Sequence, residues 1–450
     1  MSVSHPETGT TRPLPAWFDD AKLGIFIHWG PFSIPGFAPL ESPEDIETPY
    51  TEYYGYYMDR PGTETARWHA EHYGDLPYEA FGEQFRAGVP LWDPDAWADL
   101  FARAGARYVV LTSKTDDGFL LWPSAIPNPH KERWQVEHDL VGELGTALRA
   151  RGIRFGLYYS GIDWAFAPDH RKSELPPVPE WAPHATAQWR ELIERYAPDV
   201  LWQDYGFPAN GDPEALFRAY YERVPDGVVN DRFVSDHNPF DGGNDGSVHC
   251  DFATVESVLA EGESYEDVPP EQKWESCRPI GASWGFNRMD TDATYTPAGE
   301  LVRELVDVVA RGGNLLLNVG PTGAGAIPWH QAERLLALGE WLRRYGGAVY
   351  GTRRWDRPSG TTAEGLDVRY TASDDAVHAI VLSPHRQTAL DLDVRLDAGA
   401  EVTREGRAGA LRWEATDHGT RVELPEPADE EPALAVRLSP RHAVPSDQRS

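Results

Sequence analysis

The sequence predicts an α/β fold: an eight-fold barrel followed by a small antiparallel β-sandwich. Three observations carry this. Helical patterns and short apolar runs alternate over about 350 residues, the rhythm of a repeated helix–strand unit. Several of the runs are almost continuously apolar, as strands buried on both faces of a parallel sheet are. Beyond about residue 355 apolar and polar residues alternate instead, the pattern of half-buried antiparallel strands. The domains are therefore read as 1–354, the barrel, and 355–450, the sandwich with a loose tail after Pro440.

The elements follow in order. LGIFIHWG (23–30) is a first strand. DPDAWADLFARAGA (93–106) has helical spacing and leads into RYVVLTS (107–113). DLVGELGTALRARG (139–152) is a helix closed by Gly152 that leads into IRFGLYYS (153–160). AQWRELIERYAPD (187–199) precedes VLWQDYG (200–206), and DPEALFRAYYERVPDG (212–227) precedes VVNDR (228–232). TPAGELVRELVDVVARGG (296–313), with a Thr cap and Pro in its first turn, feeds NLLLNVGP (314–321). LDVRYTA (366–372), AVHAIVLS (376–383), ALDLDVRLD (389–397), TRVELP (420–425) and ALAVRLSP (433–440) are the sandwich strands. A doubly wound sheet is the alternative, weakened because no glycine fingerprint follows the first strand. Segments 36–90 and 233–248 have no readable pattern, and Pro-rich 165–185 reads as a loop over the cleft.

Composition narrows the function. Asp and Glu number 72 against 41 Lys and Arg, a net charge of −31 over 450 residues. Nucleic acids and anionic membranes need a basic surface, so neither is expected as a partner. No apolar stretch is long enough to span a bilayer. Two cysteines, Cys250 and Cys277, make neither a disulfide framework nor a metal site, and a cytoplasmic location is expected. No cofactor or metal is implied. A homo-oligomer stays open.

Barrel active sites lie at the C-terminal ends of the strands. The polar residues there are His28, Lys114 to Asp117, Tyr158 and Tyr159, Asp204, Asp231 and Arg232, and Asn318, with Asp251, Thr254 and Glu256 on a further strand-like run. Carboxylates dominate, flanked by His, Trp and Tyr. No nucleophile elbow, metal-ligand spacing or phosphate-cradling loop competes. Opposed carboxylates between aromatic walls describe a glycoside hydrolase.

Longer motifs make this specific. GIFIHWGPFSIP (24–35), WDPDAWADLFARAGARYVVLTSKTDDGFLLWPS (92–124), RFGLYYSGIDW (154–164), PDVLWQDYGFP (198–208), VVNDR (228–232), KWESC (273–277), GASWGFNR (281–288) and GGNLLLNVGP (312–321) stand in one order. Over roughly residues 15 to 355 the chain resembles the α-L-fucosidase family, glycoside hydrolase family 29. The resemblance implies an imperfect (β/α)8 TIM-like barrel with a C-terminal β-sandwich. It implies a retaining, exo-acting enzyme of carbohydrate metabolism that hydrolyses an α-L-glycoside through a covalent glycosyl-enzyme.

The resemblance also assigns roles. Asp204 matches the nucleophile and Glu256 the acid/base, with Glu275 as the rival. His28, Trp29, Glu52, Tyr159, Trp202, Arg232 and Trp284 match sugar-site positions, with Tyr158 as the lesser alternative to Tyr159. For each a bland role competes: a helix or turn cap for Asp204, a salt bridge for the glutamates, an ion pair with Asp231 or Asp204 for Arg232, core packing for Trp284, a solvated loop for Glu52. Thr115 and Asp116 depart from the pattern, which has two histidines there, so residues 114–117 are expected to aim an altered set of groups at the sugar. A related α-L-sugar, L-glucoside or L-galactoside, is the alternative substrate. A non-catalytic sugar-binding protein on a hydrolase scaffold is the alternative class.

Overall fold

A computed structural model of the chain describes residues 12–41, 46–167, 175–208, 210–234, 248–256, 272–426 and 431–445. Eight strands form one all-parallel sheet: β1 Leu23–Ile27, β2 Tyr108–Lys114, β3 Arg154–Ser160, β4 Val200–Asp204, β5 Val228–Val229, β6 Ala253–Glu256, β7 Trp274–Pro279 and β8 Asn314–Val319. Their spatial order is β5-β4-β3-β2-β1-β8-β7-β6. Sequence neighbours pair from β1 to β5 and from β6 to β8, and β1 pairs with β8. Between β5 and β6 the ladder thins to a single parallel bridge, Asn230 to Phe252, and this seam makes the barrel imperfect.

Ten helices surround it among the described residues: α1 Ala16–Ala21, α2 Tyr54–Tyr57, α3 Glu64–His72, α4 Glu79–Gly88, α5 Pro94–Ala104, α6 Leu140–Arg149, α7 Trp181–Tyr196, α8 Pro213–Arg223, α9 Ala298–Ala310 and α10 Trp329–Tyr345. Local chemistry starts and stops them. Asp93, Asp139 and Asp212 cap α5, α6 and α8 by accepting from the backbone N–H three residues on. Gly105, at φ 88°, ends α5 in the left-handed conformation. The strands alternate inward and outward. Ile25, Ile27, Val109, Leu111, Phe155, Leu157 and Leu201 pack outward against the helices. Phe26, Tyr108, Val110, Tyr158, Val200, Trp202, Cys277 and Leu316 fill the barrel.

The C-terminal strands are β9 Arg353–Thr361, β10 Asp367–Ala372, β11 Val377–Leu382, β12 Ala389–Leu392, β13 Glu401–Arg404, β14 Trp413–Ala415, β15 Thr420–Glu423 and β16 Ala433–Ser439. They form antiparallel sheets of order β13-β16-β11-β10-β9 and β12-β15-β14. A separate apolar cluster, with Trp355, Tyr370 and Leu390 among its members, lies between them.

Several expectations need correction. Segment 36–90 is not patternless: α3 and α4 fold there and bury Phe81 and Phe85. α7 begins at Trp181, inside the stretch read as loop, whose residues 168–174 lie outside the described residues. So do residues 235–247 of the 233–248 segment. Thr296 does not cap α9; it accepts from Arg278, and Pro297 takes the cap position. The chain after Pro440 is not loose throughout, since Ala443 and Val444 are buried.

α5 and α10 touch at Gly339, where an added Cβ would lie 2.0 Å from the Arg103 carbonyl and 2.8 Å from the Ala104 Cα. Backbone cannot move aside as a side chain can, so Gly339→Ala is expected to destabilise by about 1–3 kcal/mol. A lowered melting temperature checks this; an unchanged one contradicts the close packing.

Candidate functional site

Side chains that point into the barrel and reach its C-terminal rim enclose one cavity. Phe26, His28, Thr48, Tyr50, Glu52, Tyr53, Thr115, Asp116, Tyr158, Trp202, Asp204, Tyr205, Glu256 and Trp284 line it. Asp204 is the last residue of β4, and its side chain is 12% exposed. Glu256 ends β6 and is 36% exposed, so one carboxylate is deep and the other stands at the mouth.

Arg232 joins them. Its Nη1 is 2.6 Å from Asp204 Oδ1 and its Nη2 2.7 Å from Glu256 Oε1. Its Nε donates to Thr254 Oγ1 (2.8 Å), and Thr254 donates to Asp231 Oδ1 (2.7 Å). The guanidinium is buried and lies 4.8 Å from the Trp202 ring centre. A planar fork fixed at three nitrogens holds two carboxylates in a defined relation, which a lysine cannot do. Tyr158 donates to Asp204 Oδ2 (2.9 Å), and the Tyr205 N–H donates to Oδ1 (3.0 Å). Tyr205 itself has φ 53°, a strained value for a tyrosine, directly after this carboxylate.

His28 is neutral, because burial lowers its pKa to about 4 against the opposing pull of Asn318 and Asp204. Asn318 donates to the Trp284 carbonyl (2.7 Å), which turns its Oδ1 toward His28. His28 Nδ1 therefore carries the proton and donates (2.7 Å), leaving Nε2 as an acceptor. Glu52 is pushed up to about 7, chiefly by burial, with Asp204 and Glu256 adding to the rise. The Gly285 N–H opposes this from 3.3 Å. The approach needs glycine: a Cβ there would meet Thr51 Oγ1 at 2.3 Å.

The predicted residues separate into two groups. Asp204, Glu256, His28, Glu52, Thr115, Asp116, Trp202 and Trp284 line the cavity, and Arg232 bridges two of them. Trp29 and Tyr159 do not, which corrects both placements. Trp29 follows His28, so strand alternation turns it outward onto Phe85, Trp92 and Trp97. Tyr159 likewise faces the helices and donates to Gln188 Oε1 (2.7 Å), while its neighbour Tyr158 faces in.

Glu275 is fully buried beneath the cavity, accepting from Trp202 Nε1 (2.9 Å) and from Tyr108. Burial raises it to about 7, and it supports Trp202 rather than facing a substrate. Of residues 114–117 only Thr115 and Asp116 reach the cavity. Lys114 donates to the Ile162 carbonyl (2.6 Å). Asp117 accepts from Thr115 Oγ1 (3.0 Å), Phe119 N (2.9 Å) and Tyr78 (2.9 Å), and so ties the turn.

Sequence reasoning missed Phe26, Thr48, Tyr50 and Tyr205 as lining residues, and the positioning parts of Asp231 and Thr254. Phe26 had a signal: it shares strand parity with His28. Thr48 and Tyr50 sit in a loop with no period to read. No group of three or more His, Cys, Asp or Glu among the described residues is placed to hold a metal ion.

Paired variants test this placement. Tyr158→Phe is expected to lower kcat/KM for glycoside hydrolysis by about ten- to a hundredfold, the loss of one hydrogen bond to a buried carboxylate. Tyr159→Phe is expected to change it by less than about twofold while lowering stability by about 1 kcal/mol. The reverse ranking contradicts the placement.

The chain is similar to several known proteins. The family model described as Alpha-L-fucosidase matches residues 4–347. Human tissue alpha-L-fucosidase is 35% identical over 433 residues, covering 92% of this chain and 86% of the relative. An alpha-L-fucosidase of Branchiostoma floridae is 35% identical over 448 residues, covering 92% and 89%. Among solved structures, a Thermotoga maritima alpha-fucosidase in complex with a mechanism-based inhibitor is similar with a TM-score of 0.83 and 36% identity, over 95% of this chain and 97% of that one. A model match over most of the chain, relatives of nearly full coverage and a common fold leave one assignment: the chain belongs to the alpha-L-fucosidase family, glycoside hydrolase family 29.

Proposed function

We propose that this protein is a retaining, exo-acting α-L-fucosidase. The observation that carries the reading is the shared guanidinium: Asp204 and Glu256, from separate strands, both bind Arg232. Two carboxylates held on one fork are close together. That favours the short gap of retaining enzymes, about 5–5.5 Å, over the roughly 6.5–9.5 Å of inverting ones.

Asp204 attacks the anomeric carbon and forms a glycosyl-enzyme ester. Its two hydrogen bonds and its contact with Arg232 aim it. Glu256, at the mouth, gives its proton to the departing oxygen and then takes one from water. The neutral His28 offers an acceptor to a ring hydroxyl. Trp284 and Phe26 provide apolar faces for a deoxy-sugar's C–H surface. Relatives over nearly the whole chain are named alpha-L-fucosidase, which supports an α-L-fucoside as substrate. Nothing in the geometry favours an L-glucoside or L-galactoside instead.

The wild type is expected to hydrolyse p-nitrophenyl α-L-fucoside and to release the α anomer first, as followed by NMR. No turnover, or the β anomer first, overturns the reading. Glu256→Ala is expected to lose about 10²–10⁴-fold on substrates with poor leaving groups, the range of general acid catalysis. Glu275→Gln should lose less than about tenfold, since its amide can still accept from Trp202. The opposite order would give the acid/base role to Glu275.

A further inference from the structure

Four carboxyl groups line the cavity: Glu52, Asp116, Asp204 and Glu256. Among the described residues one cation binds any of them, and Arg232 directs its two amino nitrogens to Asp204 and Glu256. Lys114 lies behind the wall, its ammonium drawn to the Ile162 carbonyl and, at 3.8 Å, to Asp163. Asp116 therefore faces Asp204 from β4 and Glu52 from the 51–53 turn with no cation of its own. The other titratable groups about it are the hydroxyls of Tyr53, Tyr158 and Tyr205.

The hydrogen bonds fix its orientation. Ser160 Oγ accepts from the Ile162 N–H (3.0 Å) and donates to Asp116 Oδ1 (2.6 Å). Oδ1 is thus an acceptor, and a proton on this carboxyl belongs on Oδ2, which has no hydrogen-bond partner among the described residues. Burial, reinforced by Asp204 and Glu52, raises the affinity of Asp116 for that proton against the pull of Ser160 and Lys114. The neighbouring hydroxyl of Thr115 already donates to Asp117 (3.0 Å), so Thr115 shows the cavity no donor.

We propose that Asp116 is a specificity-determining residue of this chain: a neutral carboxyl whose Oδ2–H donates a hydrogen bond to a hydroxyl of the glycone. This deepens the glycosidase reading and rests on it. The arrangement adds a hydrogen-bond donor to the wall that carries the carboxyl groups of Asp204 and Glu256. A glycone lacking the matching hydroxyl leaves a buried O–H unpaired and is rejected. An ionised Asp116 would instead repel Asp204 and accept where it now donates.

Three measurements test this on p-nitrophenyl α-L-fucoside and its 2-, 3- and 4-deoxy forms. Asp116→Ala is expected to lose at least about a hundredfold in kcat/KM on the parent sugar, and less than about threefold on the one deoxy form that lacks the partner hydroxyl. Asp116→Asn keeps an Oδ1 that accepts from Ser160 and puts an N–H donor in place of the Oδ2–H, and is expected to lose no more than about tenfold. The infrared difference between wild type and Asp116→Asn near neutral pH should contain a protonated-carboxyl stretch. An Ala penalty equal on all four sugars overturns the proposal, as does an Asn variant as impaired as Ala, or a carboxylate signal in place of the acid. Should another p-nitrophenyl α-L-glycoside prove the faster substrate, the assigned glycone falls. Asp116 is then judged by the same measurements on that glycoside and its deoxy forms.

Discussion

The site depends on one buried guanidinium. Arg232 stands just past β5, where the barrel wall is thinnest, and it reaches both neighbouring strands: Asp204 on β4, and Thr254 and Glu256 on β6. Two carboxylates brought this close in a low-dielectric cavity repel strongly. Arg232 turns that repulsion into two charge-assisted contacts, and Asp231 holds it through Thr254. The same side chain thus spans the β5–β6 seam and sets the spacing of the acids. Below it, Tyr158 and Trp202 stack at 5.6 Å, and Glu275 anchors the Trp202 indole.

The remaining acids meet the charge problem differently. Glu52 and Asp116 make no ion pair among the described residues, and both favour the neutral form, chiefly through burial. The cavity therefore contains two acids paired with Arg232 and two that have no such ion pair among the described residues. Environment, not residue type, separates their roles.

Much of this was legible in the sequence because it follows from period and order. The apolar runs ending in His28, Asp204 and Asn318 are strand ends, and a barrel gathers strand ends at one rim. Parity carried a signal that the placement of both His28 and Trp29 in the sugar site passed over: adjacent strand residues face opposite ways, so the two cannot both line the cavity. Tyr158 and Tyr159 needed the register, since only the pairing of Tyr158 with Trp202 shows which tyrosine faces in. Register is a tertiary fact. So is the placement of Thr48 and Tyr50, which follow no period and are brought in by a loop. Glu275 has the look of a site residue, a carboxylate beside a tryptophan on a barrel strand. It lies too deep in the barrel to reach the cavity, and depth along a strand is invisible without the closed sheet.

The central claim is that the deep acid bonds to carbon while the other stays free. Treating the enzyme with 2-deoxy-2-fluoro-α-L-fucosyl fluoride and mapping the labelled peptide tests it most directly. The account predicts one added fluorosugar, esterified to Asp204, with turnover lost in proportion. A label on Glu52, Glu256 or Asp116, or turnover of the reagent by an enzyme that is never labelled, would contradict it.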